Sequence, residues 1–340
     1  MIMVNIIPVA SGKGGVGKSA VSVNLSVLLA QKGKKVVLID FDLGGANLHT
    51  LLGLKNNHAG LGNFIYKQET SLQPLLQETG VPNLQFIAGD CLFPGTANMS
   101  FFIKRKIIKE IQKLDADYAI LDLGGGTTYN TLDIFLLTYN SLLVTSPELT
   151  SILNAYSFLK AAAYRFLSCQ FKAKSEERAY IDSYISNSSA GAESSFVELT
   201  EQLCEKFPET GKKAKAELAK YRPQVILNMG KSTQDLEMAR RLRSLVFNKL
   251  NISLDYVGFT PRDMGIELAV AKRQPLAVTT PGSPFVMQLN SAADRILLHT
   301  YQYNENLQDY EDSESEDFTQ TNSDLEELHQ EFDNITDTSL

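Results

Sequence analysis

The residues best equipped for chemistry in this 340-residue sequence are GKGGVGKS, positions 12–19. They fit the pattern GxxxxGK(S/T), after a short apolar run (6–11) and before a helical pattern (21–29). That is the context this pattern requires. Gly12, Gly14, Gly15 and Gly17 have no Cβ, so the loop's backbone N–H groups, those of Lys13 and Val16 included, can close around phosphate oxygens. The helix start adds a dipole that favours anions. Lys18 brings a point charge to the β- and γ-phosphates, and Ser19 a hydroxyl for Mg²⁺. ATP and Mg²⁺ are therefore the expected ligands.

Three carboxylates stand at strand ends near this loop. Asp42 follows the apolar run 35–40, on the phosphate side of the sheet, where a carboxylate can orient or deprotonate an attacking water. Asp40 is expected in the second shell of the metal. Asp122 ends the apolar run YAILD (118–122) and is expected near Mg²⁺ itself.

A second lysine inside the loop, Lys13, marks a deviant form of the motif. With it the sequence resembles the MinD/ParA family of ATPases, in KGGVGKS and in three further segments. VVLIDFDLGGANL (36–48) is similar to the family's DxDxGxxN segment, with Asp40, Asp42, Gly44 and Asn47 in place. YAILDLGGG (118–126) resembles its Walker B strand and second switch, and TSPELTSILNAYSFLK (145–160) its TxPEPTSxxNAY segment. The resemblance covers about residues 4–165 and 223–300, and its nearest branch is the FlhG/FleN flagellar-number regulators.

That resemblance implies roles. Asp42 becomes the hydrolytic aspartate. Lys13 reaches across an ATP-bound homodimer to the partner's phosphates, an added charge in trans; within its own subunit it shows no duty. Asn228, ending QVILN, reads adenine, since an amide both donates and accepts. Pro261, Arg262 and Asp263 form a base-flanking loop. A protein partner that stimulates hydrolysis is implied, with DNA or the inner face of the cell membrane as matrix for a cytoplasmic, peripheral switch.

The elements that must position these groups follow from patterning. Near-continuous apolar strands at 6–11, 35–40, 84–88, 118–122, 142–145, 224–228 and 256–259 alternate with helical stretches at 100–113, 151–166 and 234–250. This predicts a doubly wound, mostly parallel α/β sheet of the P-loop NTPase type. Residues 167–222 break the rhythm and read as a helical insertion around a loop at 187–195. Residues 1–303 form the ATPase domain. Residues 304–340 hold 13 acids and no Lys or Arg, leaving about +6 on the body, and read as a disordered acidic tail. Within it Leu325, Leu328, Phe332 and Ile335 make a heptad-like stripe that could dock on a groove, among acids that anionic lipid would repel.

Composition excludes other classes. No run of 18 apolar residues exists, so no transmembrane segment is expected; nor does the start read as a secretory signal. The three cysteines (Cys91, Cys169, Cys204) form no CxxC pair, which argues against an iron–sulfur carrier. The four histidines are scattered. A tyrosine kinase shares the phosphate loop, but Lys13 argues against it. The sequence departs from the family in DLGGG where many relatives have DxPAG, in His49 where many have an acid, and in lacking the flagellar branch's N-terminal extension. Basic clusters at 104–106, 212–220 and 240–243 keep open a ParA-type reading, DNA segregation on non-specific DNA.

Overall fold

The computed structural model describes residues 3–43, 45–55, 57–89, 99–188, 195–309 and 323–337. Gly44, Cys91 and most of the loop at 187–195 lie outside them. In chain order the first elements are β1 (Asn5–Ala10), α1 (Lys18–Gln31), β2 (Val36–Phe41), α2 (Leu48–Leu51), α3 (Leu61–Ile65), β3 (Gln77–Glu78), β4 (Leu84–Ile87), α4 (Phe101–Ile111), β5 (Tyr118–Leu123), α5 (Tyr129–Phe135) and β6 (Leu142–Thr145). There follow α6 (Leu149–Cys169), α7 (Glu176–Ser188), α8 (Phe196–Lys206), α9 (Pro208–Lys220), β7 (Gln224–Gly230), α10 (Leu236–Leu250), β8 (Asp255–Pro261), α11 (Gly265–Lys272), α12 (Leu276–Thr279), α13 (Pro284–Asp309) and α14 (Ser323–Asp337).

The strands form one eight-stranded sheet, ordered β3-β4-β2-β5-β1-β6-β7-β8. Every neighbouring pair is parallel except β3 with β4. β2, β5 and β6 are buried at every position, which is why they read as unbroken apolar runs rather than alternations. One face packs on α1, α11, α12 and α13, the other on α4, α5, α6, α10 and the insertion. α1 is buried nearly all round, and Ser22 and Ser26 survive there because each hydroxyl has a buried acceptor, the Asp122 carboxylate for Ser22 and the carbonyl four residues back for Ser26.

The segment 167–222 is helical as expected, but it is not an appendage. Leu199, Leu203, Ala214 and Leu218 join the main core. Phe166 stacks on Tyr221, and Tyr164 meets Phe196 edge-on.

Two expectations are corrected at the chain's far end. The closing helix α13 runs on to Asp309, past the domain end expected at 303. Residues 323–337, read as disordered, form α14, which lies along β8 and α13 and buries Leu325, Leu328 and Phe332. The acidic composition misled because the acids have cations to meet on the body. Asp324 pairs with Arg243 and accepts the N–H of Tyr256 at 3.0 Å. Arg295 meets Glu331 at 2.5 Å and Glu327 at 3.5 Å.

Candidate functional site

The phosphate loop sits at the C-terminal end of β1, near the middle of the sheet. Gly17, at φ 82°, turns the chain into α1, whose first residue is Lys18. Gly12 is required by contact: a Cβ there would stand 2.3 Å from the carbonyl oxygen of Asn154 in α6. The loop is thus wedged against the helix that follows β6.

In-register pairing of β2 with β5 sets Asp40 opposite Asp122. Asp122 is the hub. Its Oδ2 lies 2.9 Å from the Lys18 ammonium and accepts from the Ser19 hydroxyl at 2.7 Å; its Oδ1 accepts from Ser22 at 2.6 Å. Asp40 is 1% exposed and accepts the N–H groups of Asp42 and Leu48, each at 3.1 Å. Burial, and then the Asp122 charge, push the Asp40 carboxyl up to about 7. Ser19 and Asp122 are hard oxygen donors a hydrogen bond apart, a set that fits Mg²⁺, which takes one or two protein ligands beside substrate phosphates. Asp40, behind Asp122, fits the second shell.

Asp42 is half-buried. Its Oδ1 would stand 3.2 Å from a Cβ on Gly124, so it faces the glycine segment after β5. That segment meets the phosphate loop, with the Gly126 N–H donating to Ser11 carbonyl at 3.2 Å. Among the described residues no hydrogen bond or ion pair engages the Asp42 carboxylate. It stands beside the loop with no partner among the described residues.

Lys13 does have a partner within its own subunit, contrary to the sequence reading. Its ammonium lies 3.3 Å from Glu148 and donates to Thr150 hydroxyl at 3.1 Å, both at the start of α6. Position alone gave no sign of this, because α6 is more than a hundred residues away.

On the base side the residues divide. Asn228 is buried and already engaged: its Nδ2 donates to the Val16 carbonyl at 2.8 Å, and its Oδ1 accepts from Thr260 at 2.7 Å. It ties β7 and β8 to the phosphate loop. Asp263 caps the turn into α11, accepting Gly265 N–H at 2.7 Å. Pro261 and Arg262 line a cavity of about 510 Å³ where β7 and β8 end. The sequence reading missed Ser22, Glu148 and Thr150. Ser22 had a signal, since it stands one helical turn after Lys18.

Each of the three basic clusters has some internal pairing, Lys220 with Glu217 at 3.0 Å in the cluster at 212–220. Lys104 pairs with Asp133 at 2.6 Å, and Lys106 lies over the Phe64 ring. Arg240 and Arg241 reach Glu237, while Arg243 is 3% exposed and bound to Asp324.

Residues 3–165 match the ParA family model, described as NUBPL iron-transfer P-loop NTPase. The septum site-determining protein MinD of Helicobacter pylori is 33% identical over 153 residues, 44% of this chain and 56% of that protein. MinD of Escherichia coli K12 is 30% identical over 151 residues, with the same coverage. The chain spans about half the length of the curated relatives it matches. The MinC:MinD cell division complex of Aquifex aeolicus superposes with a TM-score of 0.57 at 20% identity, over 86% of this chain and 96% of that one. MinD of Pyrococcus horikoshii complexed with Mg-ADP gives 0.54 at 19% identity, over the same shares. At such identity the likeness is one of fold. No helix among the described residues is long and apolar enough to cross a membrane.

Proposed function

We propose, taking residues 3–165 as a P-loop NTPase segment of the MinD/ParA type, that this chain binds Mg-ATP, hydrolyses it slowly and dimerises in the ATP state. It would thereby act as a spatial switch for the number or placement of a cellular structure, in the manner of the flagellar-number branch. One observation carries the reading: Lys18 at 2.9 Å and Ser19 at 2.7 Å both meet the Asp122 carboxylate, while the Asp42 carboxylate faces the adjoining glycine segment.

The residues divide the work. Ser19 and Asp122 would hold Mg²⁺, which spreads the charge of the phosphates when bound. Ser22 fixes Asp122 from behind, so its second oxygen stays aimed at the loop. Lys18 leaves the carboxylate for the phosphates, a short swing because both lie at the same helix start. Asp42 takes a proton from, or orients, the attacking water. Lys13 exchanges Glu148 for a phosphate across the dimer.

The iron-transfer role in the family's description is not carried over, because no CxxC exists in the sequence. The DNA-segregation reading loses support from the cations committed to internal partners; Lys212, Lys213 and Lys215 on α9 remain exposed for it. Membrane attachment through α14 is disfavoured because Leu325, Leu328 and Phe332 of its stripe face inward and Glu326, Glu327 and Asp333 face out; the Ile335 side chain lies outside the described residues.

The test is turnover and solution mass. Wild type should release phosphate from ATP, and Asp42→Ala should bind ATP, stop hydrolysing and accumulate as a dimer. Full turnover by Asp42→Ala would overturn the assignment.

A further inference from the structure

The cavity at the ends of β7 and β8 has one wall from outside the ATPase core: Phe332 of α14. Its other walls are Gly230, the last residue of β7, with Lys231; Pro261, the last residue of β8, with Arg262 and Met264; and Glu267 of α11. The two strand ends are tied by Arg262 N–H donating to the Gly230 carbonyl at 3.0 Å. At about 510 Å³ the cavity is in the range of small-molecule sites. It lies two residues beyond Asn228, whose amide grips the phosphate loop at Val16.

The aromatic wall is built, not incidental. Phe332 stacks on Phe259 with ring centroids 4.5 Å apart and planes inclined at 27°. Phe259 in turn packs tightly on Gly230, where a Cβ would fall 2.1 Å from its ring. α14 is fixed in register by Asp324 on Arg243 and on the Tyr256 N–H, and by Glu327 and Glu331 on Arg295. Two turns separate Asp324 from Phe332, so this anchor sets how far the ring reaches into the cavity.

We propose that α14 is the outer wall of the nucleoside subsite, with Phe332 as its contact to the base, so that base binding and α14 docking favour each other. The ligand class is the purine base of a nucleoside triphosphate whose phosphates occupy the loop at 12–19. This rests on the nucleotide reading above and adds to it a base-contacting residue outside the motif. An aromatic edge beside a base contributes a sequence-independent apolar contact. The linkage is reciprocal: whatever α14 adds to base affinity, the base returns to α14 docking.

The experiment compares ATP with inorganic tripolyphosphate, which carries the phosphates without a base. Binding is measured by calorimetry on the full chain, for wild type, Phe332→Ala, Phe332→Tyr and Leu328→Asp. Leu328→Asp undocks α14 without touching the cavity. Phe332→Ala and Leu328→Asp should each weaken ATP about tenfold and leave tripolyphosphate unchanged, and Phe332→Tyr should restore ATP binding. Unchanged tripolyphosphate binding also reports an intact phosphate loop. Hydrogen exchange of the α14 amides in wild type should slow with ATP and not with tripolyphosphate. ATP affinity unchanged or tightened in both weakening variants overturns the inference, as does an equal loss for both ligands. Wild type that binds neither ligand overturns the nucleotide reading itself.

Discussion

The Lys13 ammonium is held by the Glu148 carboxylate of its own chain, 3.3 Å away, across the opening of the phosphate loop. Side-chain exposures of 31% and 67% make this a solvated pair, the kind worth well under about 1 kcal/mol. A latch that weak keeps the lysine at the mouth of the site without preventing its transfer to a phosphate. Glu148→Gln should therefore leave thermal stability within about 0.5 kcal/mol of wild type. In an Asp42→Ala background, Lys13→Ala should abolish ATP-dependent dimerisation as read by light scattering. A double variant that dimerises as well as the single one would remove Lys13 from the interface.

Lys18 does two things, and one of them is structural. It neutralises Asp122, which is buried beneath it. Lys18→Ala should abolish ATP binding and also lower stability in the absence of nucleotide. Breaking a buried pair costs about 3–5 kcal/mol, reduced here because Ser19 and Ser22 still donate to Asp122. Urea titration without ligand separates the two effects.

Asp40 gives a pH signature. Its carboxyl is raised to about 7 when folded, from 3.8 when unfolded. The folded state therefore holds the proton more tightly, and stability falls as pH rises from about 4 through 7. Across that window each pH unit removes up to about 1.4 kcal/mol. Asp40→Asn should remove that slope and gain stability relative to wild type at pH 8, with little difference at pH 4. Equal melting curves for the two proteins at pH 8 would mean that the charge is compensated.

Much of this was legible in the sequence, and the exceptions share a cause. The phosphate loop, its flanking elements and the strand-end acids are local patterns, and the strand 142–145 falls where its three apolar residues and Thr145 put it. Asn228 was legible as a strand-end amide but not as the clamp on Val16, because that bond joins residues 212 apart. Lys13 misled for the same reason. Acidic content around the stripe from Leu325 to Phe332 gave a disordered reading because Arg243 and Arg295, its partners, are far upstream. The two-residue β3 is too short to leave a period at all.

Truncation after residue 309 should be costly rather than neutral. It strips the Asp324 carboxylate from Arg243, whose guanidinium is buried with the residue only 3% exposed. A loss of about 3–5 kcal/mol is expected. Arg243→Met in the truncated protein should recover part of it, which denaturant melts would register. Recovery to no extent would show that the helix, and not the charge, carries the loss.

α14 also answers a hazard of the sheet's shape. β8 is the last strand in the order, and an open edge offers unpaired N–H and C=O groups to any passing strand. The opposite edge is guarded by brevity, since β3 has only two residues. β8 has seven, and its guard is a helix whose Asp324 takes the Tyr256 amide for itself. That guard is synthesised more than sixty residues after the edge it covers. During synthesis, or whenever α14 lifts away, β8 is a template for pairing with a second chain. Filament growth from such an edge is a liability of any state in which the helix is undocked.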